Sequence, residues 1–181
     1  MRTGVDIAVR VGGLLGLLAI LLLTGVPRAQ GQDVGAGAFS RLGFGARGIA
    51  LGNAQVADPA VDVSPYYNPA LAPSASSQRL AASAALLSFD RELQFLEFTT
   101  PLGPTAGLGV DLIHAGVNNI DRRNTDGLRT GTISTDEFAL SLSFGNQFTK
   151  RFAAGVRLSL YQSDVSPNVE PARGFGVGVG A

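Results

Sequence analysis

The stretch DEFALSLSFGN, residues 136–146, constrains the fold most strongly, because large apolar residues alternate in it with small or polar ones. Successive side chains of a β-strand point to opposite faces, so this pattern predicts a strand with two unlike faces. The large residues on one face are Phe138, Leu140, Leu142 and Phe144. The small or polar residues on the other face are Glu137, Ala139, Ser141, Ser143 and Gly145.

The same period of two recurs beyond Gln78 in runs that turn residues separate, which predicts consecutive antiparallel strands. These runs are 79–89, 92–102, 106–113, 136–146 and 151–163, and a sixth begins at 175–181. Residues 32–77, by contrast, are rich in Gly, Ala and Pro, and they predict at most one short helix, near Ala46–Ala57. The sequence therefore predicts an all-β fold that follows an irregular N-terminal segment.

Alternation of this kind is typical of two folds. In a soluble β-sandwich the bulky face forms the core, whereas in an outer-membrane β-barrel the bulky face contacts lipid and the small, polar face lines the lumen. The barrel is favoured because the second face is mostly Gly, Ala and Ser, as an enclosed surface would be. Phe144, Phe148 and Phe152 also surround one turn, as the aromatic girdle of a barrel would.

The connections between the strands alternate in length, which is typical of barrels with short periplasmic turns and longer outer loops. Residues 101–105 and 145–151 are short connections, whereas residues 116–134 are a long polar loop that would face the outside of the cell. Five strands and part of a sixth are too few to close a barrel, for which about eight are needed. We therefore expect either the N-terminal part of a longer protein or several copies that assemble into one barrel.

The N-terminus has the features of a secretory signal peptide, which we place at residues 1–31. Arg2 and Arg10 precede or border the uncharged apolar run 11–26, and the small residues Ala29 and Gly31 follow it. A membrane anchor would need about 20 apolar residues, so the run is better suited to a cleaved signal. The net charge of zero gives no electrostatic attraction to nucleic acid.

The stretch RLGFGARGIALGNA contains Gly43, Gly45 and Gly48 in the spacing GxGxxG of a dinucleotide-binding turn. That turn requires a buried strand before the glycines and a βαβ unit around them. No strand-like run precedes Gly43, so the spacing does not indicate a nucleotide site. The glycines are better explained by a backbone that packs closely against a wall.

The stretch FSRLGFGARGIALGNAQVAD, followed by YYNPAL, resembles the opening of the PorV/PorQ-type outer-membrane proteins, relatives of the FadL long-chain fatty-acid transporters. Several positions depart from the family pattern, notably Gly48, Asn53, Pro59 and Leu71. The matching residues are Gly45, Ala46, Arg47, Leu51, Gly52, Ala54, Asp58, Asn68, Pro69 and Ala70. The resemblance covers Phe39–Leu71 well and the strands more loosely.

The resemblance implies an N-terminal plug, residues 32–77, that folds into the mouth of a barrel of about fourteen strands, whose first strands are residues 78–181. Arg47 would then pair with a lumenal carboxylate such as Asp111 or Glu137, or remain a surface arginine. Asn68 would cap a turn fixed by Pro69, in a latch or in a plain loop. The plug motif comprises Gly43, Gly45, Ala46, Arg47, Gly48, Leu51, Gly52, Asn68, Pro69 and Ala70. The candidate lumenal charges are Asp111, Glu137 and Arg157.

The sequence offers little for catalysis. His114 is the single histidine, we place it at the outer end of a strand, and Asp111 lies on the opposite face. No serine stands in a GxSxG elbow, and neither an HExxH motif nor a His/Asp/Glu cluster indicates a metal. We therefore expect neither enzyme activity nor a metal or other cofactor.

Together these features predict an all-β, antiparallel outer-membrane barrel, partly present, with an N-terminal lumenal plug. Two functions remain open. One is passage of hydrophobic small molecules through the plugged lumen. The other is that of a non-transporting barrel that acts as a partner in protein secretion or surface attachment. The expected partners are outer-membrane lipid and either hydrophobic small molecules or secreted proteins, without nucleic acid.

Overall fold

A computed structural model describes residues 37–59, 63–165 and 170–181 of the chain. The predicted signal peptide, residues 1–31, lies outside the described residues. The described part of the N-terminal segment, residues 37–59 and 63–77, packs on one face of the sheet and is called the covering segment. Its elements are a 3₁₀ helix at Ala38–Leu42, helix α1 at Ala46–Ala50, helix α2 at Ser64–Tyr67 and a second 3₁₀ helix at Pro69–Ser74.

The prediction of at most one short helix in this segment was wrong. Helix α1 lies within the predicted region, but α2 and the two 3₁₀ helices were missed. Pro65 and Pro69 stand in the first turns of α2 and of the second 3₁₀ helix. Proline suits a first helical turn because its fixed φ is already helical and its missing N–H has no partner there. Proline-rich sequence was therefore compatible with short helices.

Six antiparallel strands follow, and each pairs with the next in the order β1-β2-β3-β4-β5-β6. They are β1 (Arg79–Leu87), β2 (Arg91–Pro101), β3 (Ala106–Arg123), β4 (Arg129–Thr149), β5 (Phe152–Asp164) and β6 (Ala172–Gly180). The predicted all-β, antiparallel fold is confirmed. The sheet is open within the described residues, with β1 and β6 as its edges.

The long polar connection predicted at residues 116–134 is mostly strand. Strand β3 continues to Arg123 and β4 begins at Arg129, so only Asn124–Leu128 form the turn. The Asn124 side chain accepts the backbone N–H of Leu128 at 2.8 Å, which closes that turn. Ile120 and Ile133 pair across the two strands, and β-branched residues favour extended backbone. Residues 118–135, here called the hairpin ribbon, continue the β3–β4 hairpin beyond the residues that pair with β2 and β5.

The turn predicted at residues 145–151 is also shorter than expected, because β4 continues to Thr149. Phe148 and Phe152 flank the remaining turn, with ring centroids 5.9 Å apart, and both side chains are exposed.

The two faces of the sheet differ as the alternation predicted. Along β4, Leu140 is 47% exposed, whereas its neighbours Ala139 and Ser141 are 1% and 2% exposed. The large side chains that are exposed on the other strands include Leu80, Leu86, Leu96, Phe98, Leu112, Leu158, Leu160, Phe175 and Val177. The covering segment lies on the opposite, small-residue face, so the bulky face has no protein against it in the described residues.

Glycines on the covered face allow the covering segment to approach the sheet at backbone distance. A Cβ on Gly107 would collide with the carbonyl oxygen of Ala72, and one on Gly145 with that of Pro69. A Cβ on Gly109 would lie 2.7 Å from Cβ of Pro65. Small residues on two rows of the sheet are therefore a steric requirement of the docking.

At the other end of this contact, apolar side chains from both partners form a buried cluster. Phe39, Phe44 and Val63 come from the covering segment, and they pack against the sheet residues Leu93, Phe95, Ile113 and Ala139. Full burial of one Phe, Leu or Ile side chain stabilises a fold by about 1.5–3 kcal/mol. This cluster, together with the glycine contacts, holds the covering segment in one position.

We expect Gly145→Ala to lower the free energy of unfolding by about 1–3 kcal/mol, as overpacking does. Its new methyl group would meet the Pro69 carbonyl and, at 2.8 Å, Cδ of Pro73. Chemical denaturation of the two variants and the unmodified protein measures the change. The matched control is Gly178→Ala on β6, where the nearest atom, Cβ of Arg157, is 3.5 Å away. Equal stability of the two variants would contradict tight docking.

Candidate functional site

The glycine-rich stretch is a compact turn that Tyr67 closes. Gly43 and Gly45 have φ values of 78° and 75°, in the left-handed region that favours glycine. The Tyr67 hydroxyl accepts the Phe44 backbone N–H at 3.0 Å and donates to the Phe44 carbonyl at 2.8 Å. A Cβ on Gly48 would collide with this hydroxyl. The glycines therefore shape the covering segment itself.

Four aromatic rings, here called the aromatic cluster, join the covering segment to β2: Phe44, Tyr66, Tyr67 and Phe95. Phe44 stacks on Phe95 with centroids 4.6 Å apart and meets the edge of Tyr66 at 5.0 Å. Such ring pairs contribute about 0.5–1.5 kcal/mol beyond their buried area. The Tyr66 hydroxyl donates to the Ser40 carbonyl. Burial raises the pKa of Tyr66, against the opposing effect of Arg157, so this hydroxyl keeps its proton.

Asn68 caps the second 3₁₀ helix, which confirms the predicted capped turn. Its side-chain oxygen accepts the Ala70 N–H at 2.9 Å. Its amide nitrogen donates to the Val56 carbonyl at 2.9 Å and to the Ala181 carbonyl at 3.2 Å. The buried Asn68 thus connects two parts of the covering segment and reaches the end of β6.

A buried set of hydrogen-bonding side chains, here called the polar cluster, lies beneath α2. Its members are Glu97, Thr99, Asp111, Ser141, Arg157 and Ser159. Four of them stand opposite one another in register across four strands, in the row Glu97–Asp111–Ser141–Ser159. Strand β5 carries Arg157 two residues before Ser159, so its long side chain reaches the row from the next position on the same face.

Arg157 joins the sheet to the covering segment. Its Nη2 donates to Asp111 Oδ1 at 2.6 Å and to Ser141 Oγ at 2.9 Å, and its Nη1 donates to the Tyr66 carbonyl at 2.8 Å. The guanidinium carbon lies 4.8 Å from the centroid of the Tyr66 ring. Because the Arg157 side chain is only 13% exposed and that of Asp111 is 1% exposed, water screens this pair very little.

Glu97 is the second buried carboxylate of the polar cluster. Its Oε1 accepts the Thr99 hydroxyl at 3.2 Å. Its Oε2 is buried without a hydrogen-bond partner, and so is Oδ2 of Asp111. Polar atoms that are buried without partners are rare in folded proteins, so these two oxygens call for an explanation.

The candidate lumenal charges lie in different surroundings. Asp111 and Arg157 form the buried pair described above, whereas Glu137 is half-buried and accepts the Ser163 hydroxyl at 3.0 Å. Arg47 pairs with neither Asp111 nor Glu137 and is instead the surface arginine that was the other alternative. Its side chain is 65% exposed and lies 3.1 Å from Asp58, because α1 turns it away from the sheet.

Glu97 and Tyr66 were missed by the sequence analysis. Glu97 lies on the same face of β2 as Phe95 and Thr99. This alternation along the strand was the one sequence feature that could have predicted its burial. Its placement beside Asp111 depends on the pairing register of β2 with β3, which the irregular run 92–102 did not fix.

The remaining plug-motif residues build the shape of the covering segment. Gly52 has φ of 59° after α1, while Ala46 and Leu51 are exposed. Pro69 and Ala70 are buried beside Gly155, where a Cβ would collide with their backbone.

His114 lies midway along β3 on the exposed face, and not at the strand's outer end as we had placed it. Its ring stacks on Phe138 with centroids 4.6 Å apart, and its Nε2 is 2.9 Å from Asp136 Oδ1. The strand is longer than predicted, which moves His114 inward from its end. Asp111 is on the opposite, covered face, as the alternation predicted.

A recess of about 400 Å³ opens between the covering segment and β5. Its wall is mainly polar or aromatic and includes Ser40, Asn53, Tyr66, Tyr67, Arg157 and Tyr161. Burial raises the pKa of Tyr67, and its hydroxyl proton is already donated to the Phe44 carbonyl. The lining of the recess thus carries hydroxyl and amide groups, while the Tyr66 and Tyr67 hydroxyls and the Arg157 guanidinium are already engaged.

No family model, curated protein sequence or solved structure matches this chain. Among the described residues, no helix combines the length and the apolar character that crossing a membrane requires. In the same part of the chain, no group of three or more His, Asp or Glu side chains is placed to hold a metal ion.

We expect Arg157→Met to destabilise the fold by about 3–5 kcal/mol, because Asp111 would remain buried without a counter-charge. In the double variant Arg157→Met/Asp111→Asn, the loss should be smaller than the sum of the single losses, because the uncompensated charge is gone. Denaturation of the two single variants and the double variant gives this coupling directly.

The control is Arg47→Ala, which removes an exposed pair with Asp58 and should cost less than about 1 kcal/mol. If the Arg157 and Arg47 variants lost equal stability, or if the two single losses simply added, the Arg157 pair would have no special role in the fold.

Proposed function

We propose that this chain forms the plug and six wall strands of an outer-membrane β-barrel of the FadL/PorV type. In this proposal the chain reaches the bacterial outer membrane through its signal peptide, residues 1–31. The observation that carries the proposal is the unlike chemistry of the two sheet faces. The exposed face is bulky and apolar, whereas the face under the covering segment is small and polar.

At the strand tilt that is typical of barrels, the exposed face would span the apolar part of a bilayer. Along β4, its large side chains run from Phe138 to Phe148, with Asn146 as a polar exception. Ten residues of strand rise about 34 Å, or about 24 Å at a tilt of about 45°. The apolar band of outer-membrane barrels is about 25 Å tall. The polar pair His114 and Asp136 lies next to Phe138, where the band would meet the headgroups.

The covering segment is the plug in this proposal, because it covers the sheet face that a closed wall would enclose. The edges β1 and β6 would have to pair with further strands, since unpaired backbone groups cannot face hydrocarbon. Those strands would come from additional chain or from other copies, as the sequence analysis left open. The hairpin ribbon would project beyond the outer rim.

Passage of hydrophobic small molecules is the function that we propose for this barrel. It is supported by the aromatic cluster and by the apolar residues around it, Phe39, Leu93 and Ile113, which line the contact between plug and wall. A small displacement of the plug would open an apolar route along this contact. The recess beside Tyr66 is polar, so we place the route along the aromatic cluster instead.

A secretion or surface-attachment partner is the second candidate, and the hairpin ribbon favours it. The ribbon is largely exposed, and an ion-pair network stiffens it: Asp121 lies 3.3 Å from Arg123 and 3.0 Å from Arg129. A stiff polar ribbon outside the membrane would suit contact with an exported protein.

Uptake of a fluorescent long-chain fatty acid by vesicles that contain the full-length protein tests the transport proposal. We expect uptake above that of protein-free vesicles, and faster uptake with Arg157→Met, because that variant weakens the plug. Leu158→Met, which changes the adjacent exposed side chain, is the matched control and should behave as the unmodified protein. Uptake no faster than in protein-free vesicles, for all variants, would contradict transport and favour the secretion partner.

A further inference from the structure

The polar cluster holds more negative charge than its single guanidinium can balance. Glu97 and Asp111 occupy directly opposite positions on β2 and β3, and both are 1% exposed. Directly opposed residues on one face have Cβ atoms about 4.5–5.5 Å apart, so the two carboxyl groups are neighbours. Arg157 donates to Asp111, whereas the hydrogen bond found for Glu97 comes from the neutral Thr99.

The other groups that face Glu97 do not supply the missing positive charge. Within residues 37–59, 63–165 and 170–181, the titratable or charged groups around it are Asp111 of β3, Arg157 of β5 and Tyr66 of α2. Strand β1 places Ala81 opposite it, and β4 and β5 contribute the hydroxyls of Ser141 and Ser159. Two ionised carboxylates would leave one uncompensated negative charge beneath the covering segment, which is a costly arrangement away from water.

We propose that Glu97 and Asp111 form a proton-binding pair, in which one proton, held on Glu97, keeps the covering segment docked on the sheet. The proton removes the excess charge and leaves Asp111 ionised for its ion pair with Arg157. It also accounts for the two partnerless oxygens, because a protonated Glu97 Oε2 becomes a donor and Asp111 Oδ2, across the strand pair, is an acceptor in need of one.

The proton is coupled to docking because the covering segment is what excludes water from the pair. Arg157 binds Asp111 and the Tyr66 carbonyl at once, so the charge state of the pair acts directly on the contact with α2. In the undocked state Glu97 would be solvated and would lose its proton more readily. The docked state therefore binds more protons, and docking weakens as the pH rises past the titration of the docked pair.

A cysteine introduced at Ser64 reports docking, because the chain has no native cysteine and Ser64 is buried in α2. We expect the labelling of Ser64→Cys by a maleimide, in the full chain in micelles, to rise about tenfold between about pH 6 and about pH 9. Each rate is divided by that of Thr125→Cys in the exposed turn of the hairpin ribbon, which corrects for ionisation of the thiol itself.

The variant Glu97→Gln keeps the size of the side chain and removes the charge, so Ser64→Cys should stay protected across this range. Asp111→Asn should instead increase labelling at every pH, because Arg157 loses its counter-charge. A corrected rate that does not change with pH in the unmodified background would overturn the proposal. So would a rise in Glu97→Gln as large as that without the substitution.

Infrared spectroscopy provides a readout that does not depend on how well a variant folds. The unmodified protein should show the carbonyl band of a buried protonated carboxylic acid near neutral pH, and the band should disappear as the covering segment becomes labelled. Absence of such a band at neutral pH would overturn the proposal. The pair would act in the same way whatever molecule the barrel carries.

Discussion

Contact at backbone distance between the covering segment and the sheet is the constraint on which the rest of the structure depends. Where Ala72 and Pro69 contact β3 and β4, no side chain fits between the two backbones. The sheet residues at these two contacts, Gly107 and Gly145, are therefore glycines. Strand geometry then assigns the large residues to the other face. The exposure of that bulky face is thus a direct consequence of how the small face is covered.

An exposed apolar face of six strands is unfavourable in water, at about 25 cal/mol for each Å² of apolar surface. Monomeric soluble proteins rarely expose contiguous apolar patches above about 600 Å². In a hydrocarbon environment this penalty disappears, but all backbone groups must then be paired and polar side chains must face inward. The polar cluster is consistent with inward-facing polar side chains, since Asp111 and Arg157 lie on the covered face.

The same contact gives the covering segment two kinds of attachment with different properties. The aromatic cluster and the glycine rows depend on shape, so they change little with solution conditions. The ion pair of Arg157 with Asp111 depends on charge, because it requires an ionised Asp111. In the proposed barrel, a covering segment held by both kinds of contact would be firmly seated and would still respond to a single proton.

Much of the sheet could be predicted from the sequence, because period-two alternation is a local signal. The alternation in residues 136–146 correctly predicted which side chains lie on each face of β4. The alternation along β3 likewise placed Asp111 and His114 on opposite faces of the sheet. The hairpin ribbon was missed because its many Gly, Asn and Asp residues are typical of loops, while its pairing of Ile120 with Ile133 is set only by register.

The site was harder to predict, since its contacts join residues far apart in the chain. The hydrogen bond from Arg157 to the Tyr66 carbonyl joins residues 91 positions apart, and no local sequence pattern predicts it. For Arg47 a lumenal partner and a surface position were both open from the sequence, and the short α1 turns its side chain towards Asp58. The capping role of Asn68 was predictable, because an Asn before Pro at a turn is a local feature.

Nitroxide labels at Leu140, Leu142 and Leu158 in the membrane-reconstituted protein test the central claim most directly, because the native chain has no cysteine to interfere. If the bulky face contacts lipid, all three labels will be accessible to oxygen and shielded from a water-soluble nickel reagent, whereas a label at the exposed Thr125 in the turn of the hairpin ribbon will be accessible to the nickel reagent. Ready access of the nickel reagent to the three leucine positions would contradict the account and favour a water-exposed sheet.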